Sequence, residues 1–175
     1  MEYELITMRA DLIDALADFY ANLSEETFRT YNPYDAAGYG RETMVGIAER
    51  HAGGDEYHLL ALADQTMIGH GFLADCQGHY PQVGLVVADA ARDQGVGRAI
   101  LTALLEYGFG TLNVPCIGLN FNAENAPARH LYESVGFRYR YERRTALGKR
   151  FPRQYRVAIF MRVCQPWGDM DTTMS

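Results

Sequence analysis

The chain has 175 residues, 48% of them hydrophobic and 22% charged, with a formal net charge of −6 at pH 7. That length suits a single domain with its own core, and the acidic balance argues against a general nucleic-acid binder. No apolar run approaches the roughly 20 residues that span a bilayer, and the opening MEYELITMRA lacks the basic and apolar stretches of a secretory signal, which sets the expectation of a cytoplasmic protein with no membrane partner.

Tyr3 to Arg9 alternates as a first strand. DLIDALADFYANL follows with apolar side chains at Leu12, Ile13, Leu16, Phe19, Tyr20 and Leu23, the spacing of a helix. Ser24 has the character of a helix cap, and a turn-rich loop is expected around Asn32 and Pro33. RETMVGIAERH reads as a second helix. YHLLALA and MIGHGFLADC flank Asp64-Gln65 as a strand pair, and PQVGLVVA is a fourth strand. A helix is predicted from Gly95 to about Tyr107, a fifth strand at CIGLNF, and a short helix at APARHLYESVG closed by Gly136. Strands at roughly 137–145 and 154–162 complete the chain. One domain over 1–164 is expected, with a loose tail over 165–175. Turn-joined pairs imply antiparallel neighbours, and strand-helix-strand over 82–121 implies one parallel crossover. The fold class is therefore an α/β (α+β) mixed sheet of about seven strands with helices on both faces.

Cys76, Cys116 and Cys164 are odd in number, widely spaced and without a CxxC pair, so reduced thiols are expected, with no zinc site or disulfide. His51, His58, His70, His79 and His130 form no ligand-like pair, and no metal is implied. Nineteen of the 22 acidic side chains precede Arg138, whereas nine of the 16 basic ones follow from there. The basic segment Arg138 to Arg156 reads either as the solvated faces of a strand pair or as a set of arginines that meet an anion.

The junction GLVVADAARDQGVGRAILTALLEYG, Gly84 to Gly108, raises a sharper question. Glycines on both sides of Val96 weaken the first turn of the helix they open. A helix start presents unpaired N–H groups and partial positive charge, and an anion there satisfies both. Gly95 and Gly97 clear the approach to the amides. Arg92 and Arg98 add forked donors suited to phosphate oxygens. The site suits a pyrophosphate. A nucleotide-hydrolysing P-loop would need GxxxxGK followed by Ser or Thr, which is absent, and the dinucleotide fingerprint would need glycine where Ile100 stands. A plain strand-to-helix turn fits RxxGxG equally well.

The next stretch adds a second signature. With RxxGxG (Arg92, Gly95, Gly97) followed one strand later by N-x-x-A-x-x-L-Y-E-x-x-G-F (Asn125, Ala128, Leu131, Tyr132, Glu133, Gly136, Phe137), the sequence resembles the GNAT superfamily of acyl-CoA-dependent N-acyltransferases, best over residues 57–162. The resemblance implies acetyl-CoA as cosubstrate. Its pyrophosphate would lie on the amides of Arg92, Asp93, Gln94, Gly95, Val96, Gly97 and Arg98. Its pantetheine would lie along the backbone of Leu85, Val86 and Val87, where the fourth strand bulges and splays from the fifth. Asn125 would bond the pantetheine arm, with Ala128 beside it, and Tyr132 would stand near the sulfur. Asp93 departs from the pattern by placing an acid in the phosphate loop, and Ala88-Asp89 stands where proline is frequent.

Such a reaction needs an oxyanion donor, for which the resemblance offers the N–H of Val86 or Val87, and a general acid, for which it offers Tyr132. Tyr132 also reads as a plain core aromatic. The amine must arrive neutral. Asp75 and His79 are the candidate bases, with Tyr80 and Glu124 as further options, and the sequence does not choose among them. The acceptor cleft of the family involves the first helices and their loop, here with Phe28, Tyr31 and Tyr34, joined by Tyr39 and by Glu25, Glu26 and Asp35. The expected function is acetyl transfer to a primary amine of a small molecule in a ternary complex. Acetylation of a protein N-terminus or lysine, and acyl-CoA sensing without catalysis, are the alternatives. The family also includes many homodimers.

Overall fold

The computed structural model describes residues 1–31, 33–34, 38–147, 149–151 and 153–167. Seven strands form one sheet: β1 (Glu4–Thr7), β2 (Glu56–Ala63), β3 (Thr66–Ala74), β4 (Gln82–Val87), β5 (Cys116–Asn122), β6 (Arg138–Ala146) and β7 (Tyr155–Cys164). Their spatial order is β1-β2-β3-β4-β5-β7-β6. Every neighbouring pair is antiparallel except β4 and β5, which are parallel. Among the described residues five α-helices cover the sheet: α1 (Ile13–Ala21), α2 (Glu25–Thr30), α3 (Arg41–Gly53), α4 (Val96–Glu106) and α5 (Ala126–Ser134).

The pleat divides the core in two. Leu59 and Ala61 of β2 face one side, where Ile100, Leu101, Leu104 and Leu105 of α4 are buried against them with Ile117 and Leu119 of β5. Leu60, between them, faces the other side, with Leu16 and Tyr20 of α1 and Met44 and Ile47 of α3. This is the period-2 alternation of a strand covered on both faces. Asp64 and Gln65 both take positive φ, 46° and 64°, which builds the tight β2–β3 turn without a glycine. Ser24, read as a helix cap, opens a short helix, α2, which the expected element order did not include. Its first turn is capped by Ser24 Oγ, which accepts from Thr27 N at 3.2 Å. Beyond α4 the chain continues as a single π-turn, Tyr107–Thr111.

Two expectations are corrected. Cys116 and Cys164 are joined as a disulfide. They stand opposite each other in the β5–β7 ladder, a proximity that a sequence separation of 48 conceals. Cys76 alone is free, and it is buried. The segment expected to begin a loose tail is docked at its start: Gln165 Nε2 donates to the carbonyls of Phe109 and Val114, and Trp167 Nε1 donates to Val135 O at 3.1 Å. Residues 168–175 lie outside the described residues. Among the described residues no helix is long and apolar enough to cross a membrane, and no cluster of His, Cys, Asp or Glu could hold a metal ion.

The core contains one continuous polar chain. His58 Nε2 lies 2.8 Å from Glu56 Oε2, His58 Nδ1 lies 2.9 Å from His70 Nε2, and His70 Nδ1 lies 2.8 Å from Tyr20 Oη. Both imidazoles are fully buried. Burial holds the pKa of His58 below, and that of His70 well below, the ordinary histidine value. An unfolded chain takes up protons on these rings near pH 6.5, whereas the folded one does not. Stability is therefore complete above that pH and falls as the solution is acidified through it. The melting temperature should be lower at pH 5.5 than at pH 7.5, and a His70→Gln variant should show a shallower decline.

Candidate active site

β4 and β5 pair over only two positions, Gln82 with Gly118 and Val83 with Leu119, and then part. On its other edge β4 keeps an unbroken register with β3 from Gln82 to Val87, so the bulge expected in β4 is absent. Ala88 N donates to Ile68 O at 2.8 Å, and the carbonyls of Val86 and Gly84 face Gly69 and Gly71 of β3. Backbone groups alternate in direction along a strand. Those of Leu85 and Val87 therefore point into the gap on the β5 side, unpaired by the sheet. Val86, expected as a third contact and as one of two oxyanion donors, turns its N–H and C=O to β3, whereas the N–H of Val87 faces the gap.

The gap opens into a cleft of about 820 Å³ that runs from α2 past β4 to the start of α4 and across to α5. At α4 the turn is built by Asp93 at φ 59° and Gly95 at φ 81°. Gly95, as N-cap, takes a left-handed conformation that glycine adopts without strain. Gly97 answers a different need. A β-carbon there would stand 3.4 Å from Leu131, 3.5 Å from Val87 and 3.8 Å from Leu85, so anything larger than a methyl would intrude on the cleft wall. The first-turn amides of α4 are thus open to an anion.

The arginines are placed less freely than the sequence implies. Arg92 donates to Thr27 Oγ1 at 2.8 Å and pairs with Asp89, which in turn accepts from Thr27 Oγ1 at 3.0 Å. Hydrogen bonds from Ser24 and Thr27 and the charge of Arg92 hold the Asp89 carboxyl below its usual range. Arg92 therefore ties α2 to the glycine loop. Arg98 donates to Ser134 Oγ of α5 at 2.7 Å. Both still line the cleft, and their charge reinforces the helix dipole. Asp93 is exposed.

Asn125 caps α5: its Oδ1 accepts from Ala128 N at 3.1 Å. That bond consumes the Asn125 oxygen and the Ala128 amide, which leaves the Asn125 side-chain NH₂ for a ligand. One turn later Tyr132 packs between Phe121 and Phe137, with ring centroids 5.4 and 5.9 Å away, and lines the cleft. Burial pushes its phenol up to about 12, so it keeps its proton throughout the neutral range.

The other end of the cleft lies under α2 and β7. Arg156 Nη1 donates to Thr30 O at 2.9 Å. Arg29 donates to Gln154 Oε1 at 3.1 Å and lies over the Phe151 ring, and Arg150 lies over Phe28. These contacts fasten α2 to the β6–β7 arm. The rest of the basic segment largely forms solvated strand faces, as β6 is exposed almost throughout. Arg156 is the exception. Its Nε is buried without a hydrogen-bond partner among the described residues, and the side chain borders the cleft. No pattern in the sequence distinguished it from its neighbours.

Of the expected acceptor residues, Tyr31 and Glu26 line the cleft. Phe28 is 3% exposed and packs against Tyr39, and Tyr34 lies among Tyr20, Tyr39 and Phe72; both belong to the wall behind it. Asp35 lies outside the described residues. Asp75 and His79 are exposed in the β3–β4 turn, and neither lines the cleft. Glu124 does.

Comparison with known proteins agrees with this architecture. Spermidine N-acetyltransferase from Vibrio cholerae, solved with CoA and spermine, superposes with a TM-score of 0.76 at 18% identity, over 93% of this chain and 95% of that one. Ribosomal-protein-S5-alanine acetyltransferase from Vibrio fischeri gives 0.81 at 13% identity, over 95% and 96%. The yncA protein of Salmonella typhimurium, solved with acetyl-CoA, gives 0.79 at 13% identity, over 99% and 100%. At these identities the likeness is one of fold. A family model described as "Acetyltransferase (GNAT) family" matches residues 14–137, and with both signatures placed on one cleft, the chain belongs to the GNAT acetyltransferase family.

Proposed function

We propose that the protein transfers the acetyl group of acetyl-CoA to a primary amine of a small molecule, by direct attack in a ternary complex. The observation that carries this reading is the convergence on one cleft of open amides at the start of α4, unpaired backbone groups of Leu85 and Val87, and the protonated phenol of Tyr132. The residues present fit the cosubstrate. Gly97 leaves room at the amides, and the β4 edge accepts an extended amide-bearing arm. Bound acetyl-CoA supplies an activated thioester carbonyl. The Val87 N–H faces the gap as a donor to developing oxyanion charge, and Tyr132 holds a proton for the departing sulfur.

The fastening of α2 to the β6–β7 arm supports a small acceptor over a peptide, which would need an open groove at that end. Arg156, half-buried and without a carboxylate partner among the described residues, suits an acidic group on the acceptor. Arg156→Met should raise the KM of an acidic amine about tenfold, the cost of roughly one charged hydrogen bond, and leave the affinity for acetyl-CoA unchanged. The reading as a whole is tested by coenzyme A release from acetyl-CoA with a panel of amines and peptides. Turnover on free amines is expected. Turnover on peptides alone would favour a protein acetyltransferase, and tight binding without turnover would favour a sensor.

A further inference from the structure

The residues of the cleft divide between the two faces of the sheet. Leu85 and Val87 pack on the α4 side with Leu131 and Tyr132, whereas Val86 belongs to the opposite core. By the same alternation Gly84 and Asn120 turn to the α1 side. They stand where the next β4–β5 pair would form, one step beyond Val83 and Leu119, and both line the cleft. On this side a β-carbon on Gly84 would lie 3.0 Å from Tyr31 Oη. Arg156 reaches the same place from β7, with Nη1 on Thr30 O at 2.9 Å and Nη2 3.5 Å from Asn120 Oδ1. The groups that suit the cosubstrate therefore occupy one face of the opening, and Tyr31, Asn120 and Arg156 ring the other.

Polar capacity on this second face is unused. The 3.5 Å contact to Asn120 is at the limit of a hydrogen bond, and Arg156 Nε is buried without a partner among the described residues. Tyr31 Oη is buried and unpartnered there as well. Buried polar groups without partners are uncommon, and a buried charge short of acceptors is more unfavourable still. Burial lowers the pKa of Arg156 below the ordinary arginine value, and no charge partner raises it again. Glu124 borders both the cleft and a smaller cavity of about 400 Å³ together with Arg156. The two form no ion pair among the described residues. An unpaired cation and an unpaired anion thus face one opening, and a ligand that satisfies both carries both charges.

We propose that the acceptor is a free amino acid whose carboxylate lies against Arg156 and Tyr31 while its ammonium enters beside Glu124. The inference rests on the acetyltransferase reading above and names its substrate class. A carboxylate accepts from guanidinium and phenol alike. The bond from Nη1 to Thr30 O fixes the plane of the guanidinium, and the long contact to Asn120 is one that a carboxylate oxygen would displace or share. Burial raises the pKa of Tyr31 well above the ordinary tyrosine value, so the phenol keeps the proton it would donate. A polyamine or an amidated acid offers Arg156 no anion and leaves it unpaired, which is the basis of the discrimination.

Matched substrates on the full chain test this: free L-amino acids against the amides of the same amino acids, assayed by coenzyme A release. Arg156→Met should lower the acid-to-amide ratio of kcat/KM about tenfold or more, and Tyr31→Phe about threefold. Comparing the ratio between variants at one pH cancels the difference in basicity between the two amines. Glu124→Gln should slow acid and amide alike and keep the ratio. Had Arg156 only fastened α2 to β7, its loss would slow both substrates by the same factor. That outcome, or a ratio that falls as far with Glu124→Gln, overturns the proposal while the transferase reading stands. Binding supplies a readout without turnover. With coenzyme A bound, N-acetyl amino acids should bind more tightly than their amides in a calorimetric titration, and Arg156→Met should remove the difference; equal affinities in the wild type overturn the carboxylate site. A wild type that binds acetyl-CoA and acetylates no amine overturns the transferase reading and this inference together.

Discussion

Replacing Tyr132 with phenylalanine should lower kcat about a hundredfold and leave the Kd of acetyl-CoA within about twofold of the wild type. The ring is held by Phe121 and Phe137 and is 7% exposed, so phenylalanine keeps the packing and removes only the hydroxyl. That hydroxyl, with its pKa near 12, retains its proton at any pH at which the enzyme would work. Its acidity lies closer to that of a thiol than to that of water, so it can release the proton as thiolate charge develops. The loss should therefore fall on turnover and not on binding. Single-turnover kinetics and calorimetry on the same preparation check the two halves of the expectation. An unchanged kcat would remove Tyr132 from the chemistry and leave it as a core aromatic.

The second large effect is expected at Gly97. Alanine there places its methyl 3.4 Å from Leu131, ordinary contact distance, and should be tolerated. Valine adds two carbons that the surrounding Leu131, Val87 and Leu85 leave no room for except toward the α4 amides. Blocking even one or two charge-assisted hydrogen bonds to a phosphate forfeits about 3 kcal/mol, roughly a 150-fold weaker Kd for acetyl-CoA. Stability should not fall with it, because valine is slightly better than glycine within a helix. A calorimetric titration of the Gly, Ala and Val series with melting temperatures alongside separates the two effects. Equal affinity across the series would show that the amides are not the phosphate cradle.

Much of this was legible before folding. Strand and helix positions followed from periodicity, and the glycine junction and the Asn125–Phe137 signature lie in contiguous stretches whose local geometry creates the α4 amide cradle and the capped start of α5. The short helix α2 was missed because it is a single capped turn and a half, held by contacts from Arg29 and Arg92 to distant residues. Arg92 itself illustrates the difference. In the sequence it is a spare cation beside a phosphate site, and in the fold it is shared with Asp89 and Thr27. Among the acceptor aromatics, Phe28, Tyr31 and Tyr34 were equivalent in the sequence, and packing sent only Tyr31 to the cleft.

By itself the order of residues determined the family, the element order and the place of the glycine turn that opens α4, because each depends on near neighbours along the chain. Tertiary structure decided which backbone groups of β4 remain unpaired, that Cys116 meets Cys164, which arginine of the basic segment turns inward, and that His58 and His70 hydrogen-bond between Glu56 and Tyr20. Those facts depend on strand register and on side chains brought together from opposite ends of the chain. A shift of one residue in register would send the same side chains to the other face of the sheet.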